Sequence, residues 1–259
     1  MMPSGLSARP ARGTARAGHL PGSVQRRDRA GAVLLVIFLA ATGVESTRLG
    51  AANVFADSGR LDIERWASAS PPPGVQDLNR AVDNFSDSLR YASANPWALE
   101  GLGALGFARM RVAGNPPEAL AAARDAYKRF REALRQRPTS PFLWANLALS
   151  KLYLDEIDAE LFVALRHADE LGPWEPAIQQ TTLFVALAVW PHLDAGLRQS
   201  VVRRVERGAT RDAEKLFAIV KSYGRFDLVC GIDEYASIAG PNCKQAATTA
   251  RPIDKRGRQ

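Results

Sequence analysis

Between residues 126 and 149 the apolar positions fall on one side of a helix, stop at a proline, and resume on one side of a second helix. Ala126, Phe130, Ala133 and Leu134 follow one another at +4, +3 and +1, the steps that bring side chains together over successive helical turns. Pro138, four residues past Leu134, ends the first helix, because proline lacks the N–H and forces its predecessor out of helical geometry. Six residues later Trp144 opens a second stripe, with Leu147 and Ala148 at +3 and +4. Small alanines beside large aromatics let two helices approach closely. The pattern recurs upstream in Ala81, Phe85, Ser88 and Leu89, then Ser93 where the proline stood, then Leu99, Leu102 and Gly103. The two units are offset by 45 residues, the segment VAGNPPEA lengthening one turn. A looser copy, Leu161, Leu165 and Ala168, leads to Pro173, 35 residues after Pro138.

This periodicity predicts helices over about 75–92, 96–112, 116–136, 140–154, 158–170, 175–190, 194–207 and 210–223. Most boundaries carry Pro, Gly or Asp. NPPEAL puts proline at a helix start, where its missing N–H is harmless, and Asp194 is the expected N-cap after a break at Pro191. No run of alternating β-branched residues occurs, so the expected fold is all-α: an α-solenoid of antiparallel helix pairs with short loops.

Ahead of these helices lies a charge-free run, residues 30–44, bracketed by Arg29 and Glu45. As a helix it spans roughly 22 Å, less than a hydrocarbon core of about 30 Å, and could cross with local thinning and a snorkelling Arg29. It also fits a signal-peptide core with Ala41-Thr42-Gly43 as cleavage site, or a buried core helix. The Arg-rich flank favours a membrane segment with the N-terminus in the cytoplasm and the remainder exported. Residues 1–29 are expected to be a disordered basic leader, long enough to fit a later translation start, residues 30–46 the anchor or signal peptide, and residues 47–74 a connector. A helical repeat domain over 75–226, a disulfide-closed loop over 227–243 and a disordered basic tail over 244–259 complete the expected organisation.

Charge changes the picture little. The total is +7, but residues 1–29 carry +5 and residues 244–259 carry +4, which leaves −2 for residues 30–243. A domain built to bind nucleic acid should carry its basic face on the folded part, so no nucleic-acid partner is expected. The two cysteines, Cys230 and Cys243, are spaced wrongly for a CxxC pair, and with three histidines a structural metal site is not expected. Export would let Cys230 and Cys243 form a disulfide; the other reading is two separate buried thiols.

No catalytic constellation emerges. His19 lies in the leader, His167 among helical LRHADEL and His192 after Pro191 at a turn. DEIDAE (155–160) gathers carboxylates at a helix–loop–helix corner, where aspartate caps a helix start. No phosphate-cradling glycine loop and no GxSxG occur. The expectation is therefore a non-enzymatic protein without cofactor.

The steps Ala-x3-Phe-x2-Ala-Leu-x3-Pro, then an aromatic six residues on with Leu and Ala or Gly at +3 and +4, resemble the tetratricopeptide repeat. RPTSPFLWANLALSKLYL, ALRHADELGPWEP and YGRFDLVC, in that order after an anchor, resemble the VpsP-type proteins of bacterial exopolysaccharide biosynthesis. That resemblance implies an inner-membrane anchor, a periplasmic repeat domain, and protein partners within a polysaccharide assembly or export machinery. The tetratricopeptide resemblance implies that the first helix of each pair lines a concave groove. Trp97, Glu100, Ala104 and Phe107, and Phe142, Ala145, Leu149 and Tyr153, form the corresponding stripes and are the candidate binding surface; packing between neighbouring helices is the alternative. Trp144 is expected at a repeat core position, and Trp174 and Trp190 in the core. An enzyme or direct glycan binder acting on the polymer, or an envelope-assembly protein unrelated to sugars, are the competing functional readings.

Overall fold

The computed structural model describes residues 22–67 and 73–249, with side chains described over 29–66 and 73–244. Among these residues all regular structure is helical. The α-helices are α1 (Gly22–Ala67), α2 (Val75–Tyr91), α3 (Pro96–Val112), α4 (Pro116–Gln136), α5 (Pro141–Tyr153), α6 (Ala159–Leu171), α7 (Pro176–Ala188), α8 (Ala195–Ser222) and α9 (Ala236–Thr249). Short 3-10 turns lie at Trp190–His192, Phe226–Leu228 and Asp233–Tyr235. The chain divides into two units, residues 1–47 and 48–259.

In the first unit every described side chain, including Leu34, Ile37 and Phe38, is exposed. An uncovered apolar helix is unfavourable in water and natural in lipid. Thr42, in its apolar run, donates to the Leu39 carbonyl, and Thr47, just beyond, to the Gly43 carbonyl, so the helix itself satisfies both hydroxyls. The helix that begins here is long and apolar enough to cross a bilayer.

The second unit is built from helices that each pack against the next in sequence, α2 on α3 through α7 on α8, with α5 also meeting α7. The starts follow the sequence chemistry. Asn115, Ser140, Asp158 and Asp194 each accept a hydrogen bond from a first-turn N–H, and Pro96, Pro116, Pro141 and Pro176 open their helices. The recurring apolar positions are the core: Ala81, Phe85, Ser88, Leu99, Ala126, Phe130, Ala133, Leu147, Leu161, Leu165 and Ala168 are all buried. Glycines on α3 make room for the two repeat phenylalanines. A Cβ on Gly103 would stand 2.6 Å from the Phe130 ring, and one on Gly101 would overlap Phe85.

Several segments differ from the sequence expectation. Residues 22–29, expected in a disordered leader, and 47–67, expected in a connector, belong to α1. Ala52, Ala56, Gly59 and Ile63 follow at +4, +3 and +4, and this small-residue face receives the Phe85 ring. Residues 227–243, expected to be a loop, form 3-10 turns and the start of α9, and α9 continues through 244–249 of the expected tail. The buried Tyr235 ties this segment to α8 by donating its hydroxyl to the Val205 carbonyl at 3.0 Å; burial raises that phenol to about 12. The helices expected at 194–207 and 210–223 form one run, α8, broken at Asp212 (φ −147°, ψ 31°). The leader before residue 22, residues 68–72 of SASPPPG and the tail beyond 249 lie outside the described residues.

Candidate functional site

The two stripes expected from the sequence lie beside each other. Trp97, Glu100, Ala104 and Phe107 run along one face of α3 and line clefts there, continued by Arg111. On α5 the lining residues are Asn146, Leu149 and Tyr153. Ala145 is instead buried with Ala168 and Ile178. At 100° per residue, 146, 149 and 153 lie within about 40° of the direction of 142, while 145 lies about 60° off it, at the edge of the face next to the core. Phe142 is exposed at one end of this face.

Three clefts follow from this arrangement. One of about 400 Å³ lies between Ile63 and Trp66 of α1 and Ala104, Phe107 and Arg111 of α3. A second, about 190 Å³, is bounded by Ala56 and Arg60, by Trp97 and Glu100, and by Asn146. A third, about 270 Å³, lies between Leu149 and Tyr153 of α5, Gln180, Thr181 and Phe184 of α7, and Ile219 of α8. Phe107 and Tyr153 meet edge to face at 5.5 Å, so an aromatic bridge separates the first cleft from the third. Phe184 carries the aromatic series on to Tyr223 at 5.8 Å.

The electrostatics of this face centre on Arg137, just past α4. Its guanidinium donates to Glu100 Oε2 at 2.8 Å and lies 3.6 Å from the centre of the Trp97 ring. Burial raises the Glu100 carboxyl above its ordinary value, against the pull of Arg137. Trp97 remains 46% exposed, while its backbone N–H is held by the Asn95 side chain. A fixed, open aromatic of this kind binds with little loss of side-chain entropy.

Two ion clusters went unread in the sequence. Lys151, with a side chain only 3% exposed, meets Glu156, Asp158 and Glu160 at 3.0, 2.9 and 3.1 Å. Burial alone would lower the ammonium; its bonds to Asp158, Glu156 and Glu160 outweigh that and hold it above its ordinary range. DEIDAE is thus wrapped around a lysine of the preceding helix, and Asp158 caps α6 through the Leu161 N–H. Farther along, the buried Arg204 and its neighbour Arg207 share Asp169 at 3.3 and 2.8 Å, and Ser200 donates its hydroxyl to the same carboxylate. Burial lowers Arg204 to about 10, partly offset by Asp169, so it stays charged. Sequence pattern gives no sign of either cluster, because partners 5 to 38 residues apart carry no fixed spacing.

The remaining candidates fall as follows. Trp144 is half-buried, donates its indole N–H to the Pro138 carbonyl and stacks beside His167 at 4.6 Å. Trp174, expected in the core, is 59% exposed because it sits at the corner between α6 and α7. Trp190 packs at the core edge with Arg225 over its ring at 3.7 Å. His192 is exposed in its 3-10 turn, and His19 lies outside the described residues. Cys230 and Cys243 are joined in a disulfide, with Cα atoms 5.7 Å apart. Among the described residues no group of three or more His, Cys, Asp or Glu side chains is placed to hold a metal ion. No protein-family model matches the chain, and neither curated proteins nor solved structures give a match.

Proposed function

We propose that this chain is a membrane-anchored scaffold whose helical-repeat domain docks a protein partner of a polysaccharide assembly or export machinery. The first unit is the anchor, its basic flank holding the N-terminus in the cytoplasm and placing the repeat domain on the far side of a bacterial inner membrane. The helices of the second unit stack as tetratricopeptide-like pairs. The protein acts by presenting a surface and makes or breaks no bonds. The observation that carries the reading is the meeting of the α3 and α5 stripes at Phe107 and Tyr153, flanked by clefts and by the exposed, cation-braced Trp97. Exposed aromatics set in apolar depressions are what anchors a protein interface. The sequence resemblance supplies the biological setting.

The test places a photo-crosslinking amino acid at Trp97, Phe142 or Tyr153 in cells that make the polymer, with the exposed Val202 as control position. All three face positions should capture the same component of the polymer machinery, and Val202 should not. Trp97→Ala should lower polymer output together with that crosslink. Equal capture from Val202, or loss of polymer with the crosslink intact, would contradict the docking reading.

A further inference from the structure

We propose that the outer face of α4 is a track for a linear anionic polysaccharide, separate from the α3/α5 face and independent of the docking reading. α4 buries Ala123, Ala126, Phe130, Ala133 and Leu134. On its other side Arg124, Lys128, Arg131 and Arg135 follow at +4, +3 and +4, all exposed. At about 1.5 Å per residue this row is roughly 16 Å long, with a positive charge about every 5 Å. Among the described residues Arg124, Lys128 and Arg135 make no ion pair, and Arg131 reaches Glu160 at 3.6 Å. A notch of about 240 Å³ lies along Tyr127, Lys128, Arg131, Glu132 and Arg135. This concentration stands out because residues 30–243 together carry a net charge of −2.

The form of the row selects the occupant. It is one charge wide: Asp125 and Glu132 border it on one flank and Glu160 on the other. A flat anionic lipid surface pressed on α4 would meet those carboxylates too, and be repelled by them. A chain laid lengthwise follows the line of cations and meets of these carboxylates chiefly Glu132, at the edge of the notch. Single-stranded nucleic acid gains much of its affinity by stacking bases on aromatic rings beside the charges. No aromatic stands on this row, and Tyr127 at its edge is engaged by Glu160 at 2.7 Å and Lys151 at 5.2 Å. A polymer with one carboxylate per sugar offers charges at a pitch close to one helical turn and needs no stacking platform.

The test uses the full chain in neutral-lipid nanodiscs and the anisotropy of a labelled polygalacturonate oligomer at low salt. The comparison ligands are neutral dextran, phosphatidylglycerol vesicles and oligodeoxythymidylate. Arg124→Gln, Lys128→Gln and Arg135→Gln combined should weaken polygalacturonate binding at least tenfold and reduce the slope of log affinity against log salt by about 2. Glutamine keeps these exposed positions helix-compatible, and Lys128→Gln alone should weaken binding two- to threefold. Lys255→Gln, Arg256→Gln and Arg258→Gln combined should leave affinity unchanged, which separates the track from the basic tail. Dextran should not bind. The proposal is overturned if polygalacturonate fails to bind, if the α4 variants bind like wild type, if the tail variant loses binding, or if vesicles or oligodeoxythymidylate bind more tightly.

Discussion

Phe85 is held between two glycine backbones, and replacing one of them tests how tightly the first helices of the second unit are packed. The ring is fully buried. A Cβ on Gly59 of α1 would stand 2.7 Å from it, and one on Gly101 of α3 closer still, whereas carbons in comfortable contact are about 3.5–4.0 Å apart. In Gly101→Ala the ring must move by more than 1 Å, and the way back is toward Gly59, which it already touches. Two terms compete. Alanine in a helix interior is favoured over glycine by about 0.8–1.0 kcal/mol. Overpacking a closed core site costs about 1–3 kcal/mol, and backbone on both sides of the ring puts this site in the upper half of that range. The net result is a loss of about 1–2 kcal/mol, or about 2–8 °C in Tm for a unit of this size.

The assay is thermal unfolding of the full chain in detergent, followed by helical circular dichroism. Gly50→Ala is the control: it lies in α1 with nothing within 4 Å of a Cβ, so helix propensity alone should raise its stability slightly. Adding Phe85→Leu to Gly101→Ala should recover part of the loss, with a coupling of at least about 0.5 kcal/mol between the two sites. If Gly101→Ala melts at or above wild type, as Gly50→Ala should, the clamp around Phe85 does not exist.

Three further outcomes follow from the structure. Replacing both Cys230 and Cys243 by serine should cost about 3 kcal/mol for a loop of this size, read as a lower denaturant midpoint at unchanged slope and as lost sensitivity to reductant. Lys151→Met should cost about 1–3 kcal/mol at neutral pH, because three carboxylates lose their shared cation. The Asp158 carboxyl lies below its ordinary 3.8 in the folded chain despite partial burial, through Lys151 and the Leu161 N–H, so its contribution is present above 3.8 and fades as pH falls through the folded value. The gap between wild type and variant should therefore hold down to that region, and a gap that closes well above it would refute the assignment. For Glu100 the sign reverses: its folded carboxyl lies above 4.5, so the charged form costs stability at neutral pH and the cost is relieved as pH falls through the raised value. Protonation should loosen Arg137 over Trp97 and change tryptophan fluorescence with a midpoint above 4.5, a transition missing from Glu100→Gln and Trp97→Phe.

Much of the second unit was legible because local chemistry and apolar spacing agree there. Asn115, Ser140, Asp158 and Asp194 each mark a start in sequence and in space. The face formed by Trp97, Glu100 and Phe107 was also legible, since one helix fixes which residues share a side. Between helices this control fails. Whether Asn146 or Ala145 lines a cleft turns on a single 100° step, decided by Ala168 and Ile178 taking Ala145 into the core. Trp174 was expected in the core by default, yet it is exposed at a corner between helices. Residues 230–243 show weak periodicity, and their helical form accompanies a disulfide that joins the two ends of the segment and the Tyr235–Val205 bond, made across 30 residues, neither of which an apolar period records.

The most instructive failure is α1 after residue 47. Its packing face, Ala52, Ala56 and Gly59, has almost no hydrophobic contrast, so a period search passes over it. The mark it leaves lies in its neighbour's sequence. The first repeat departs from its pattern at Ser88, where the second has Ala133. Ser88 is buried and its hydroxyl accepts from Asn95 Nδ2 at 3.1 Å, an amide that also reaches Asn53 of α1 at 3.3 Å. A hydroxyl replaces a methyl where the buried Asn95, at the start of α3, needs partners for its amide, and the exposed Asn53 of α1 supplies the second. The polar residue at this repeat's core position is therefore the mark of a buried hydrogen bond to the turn before α3, rather than of a weaker repeat, and the same amide carries the contact on to α1, the helix that periodicity misses.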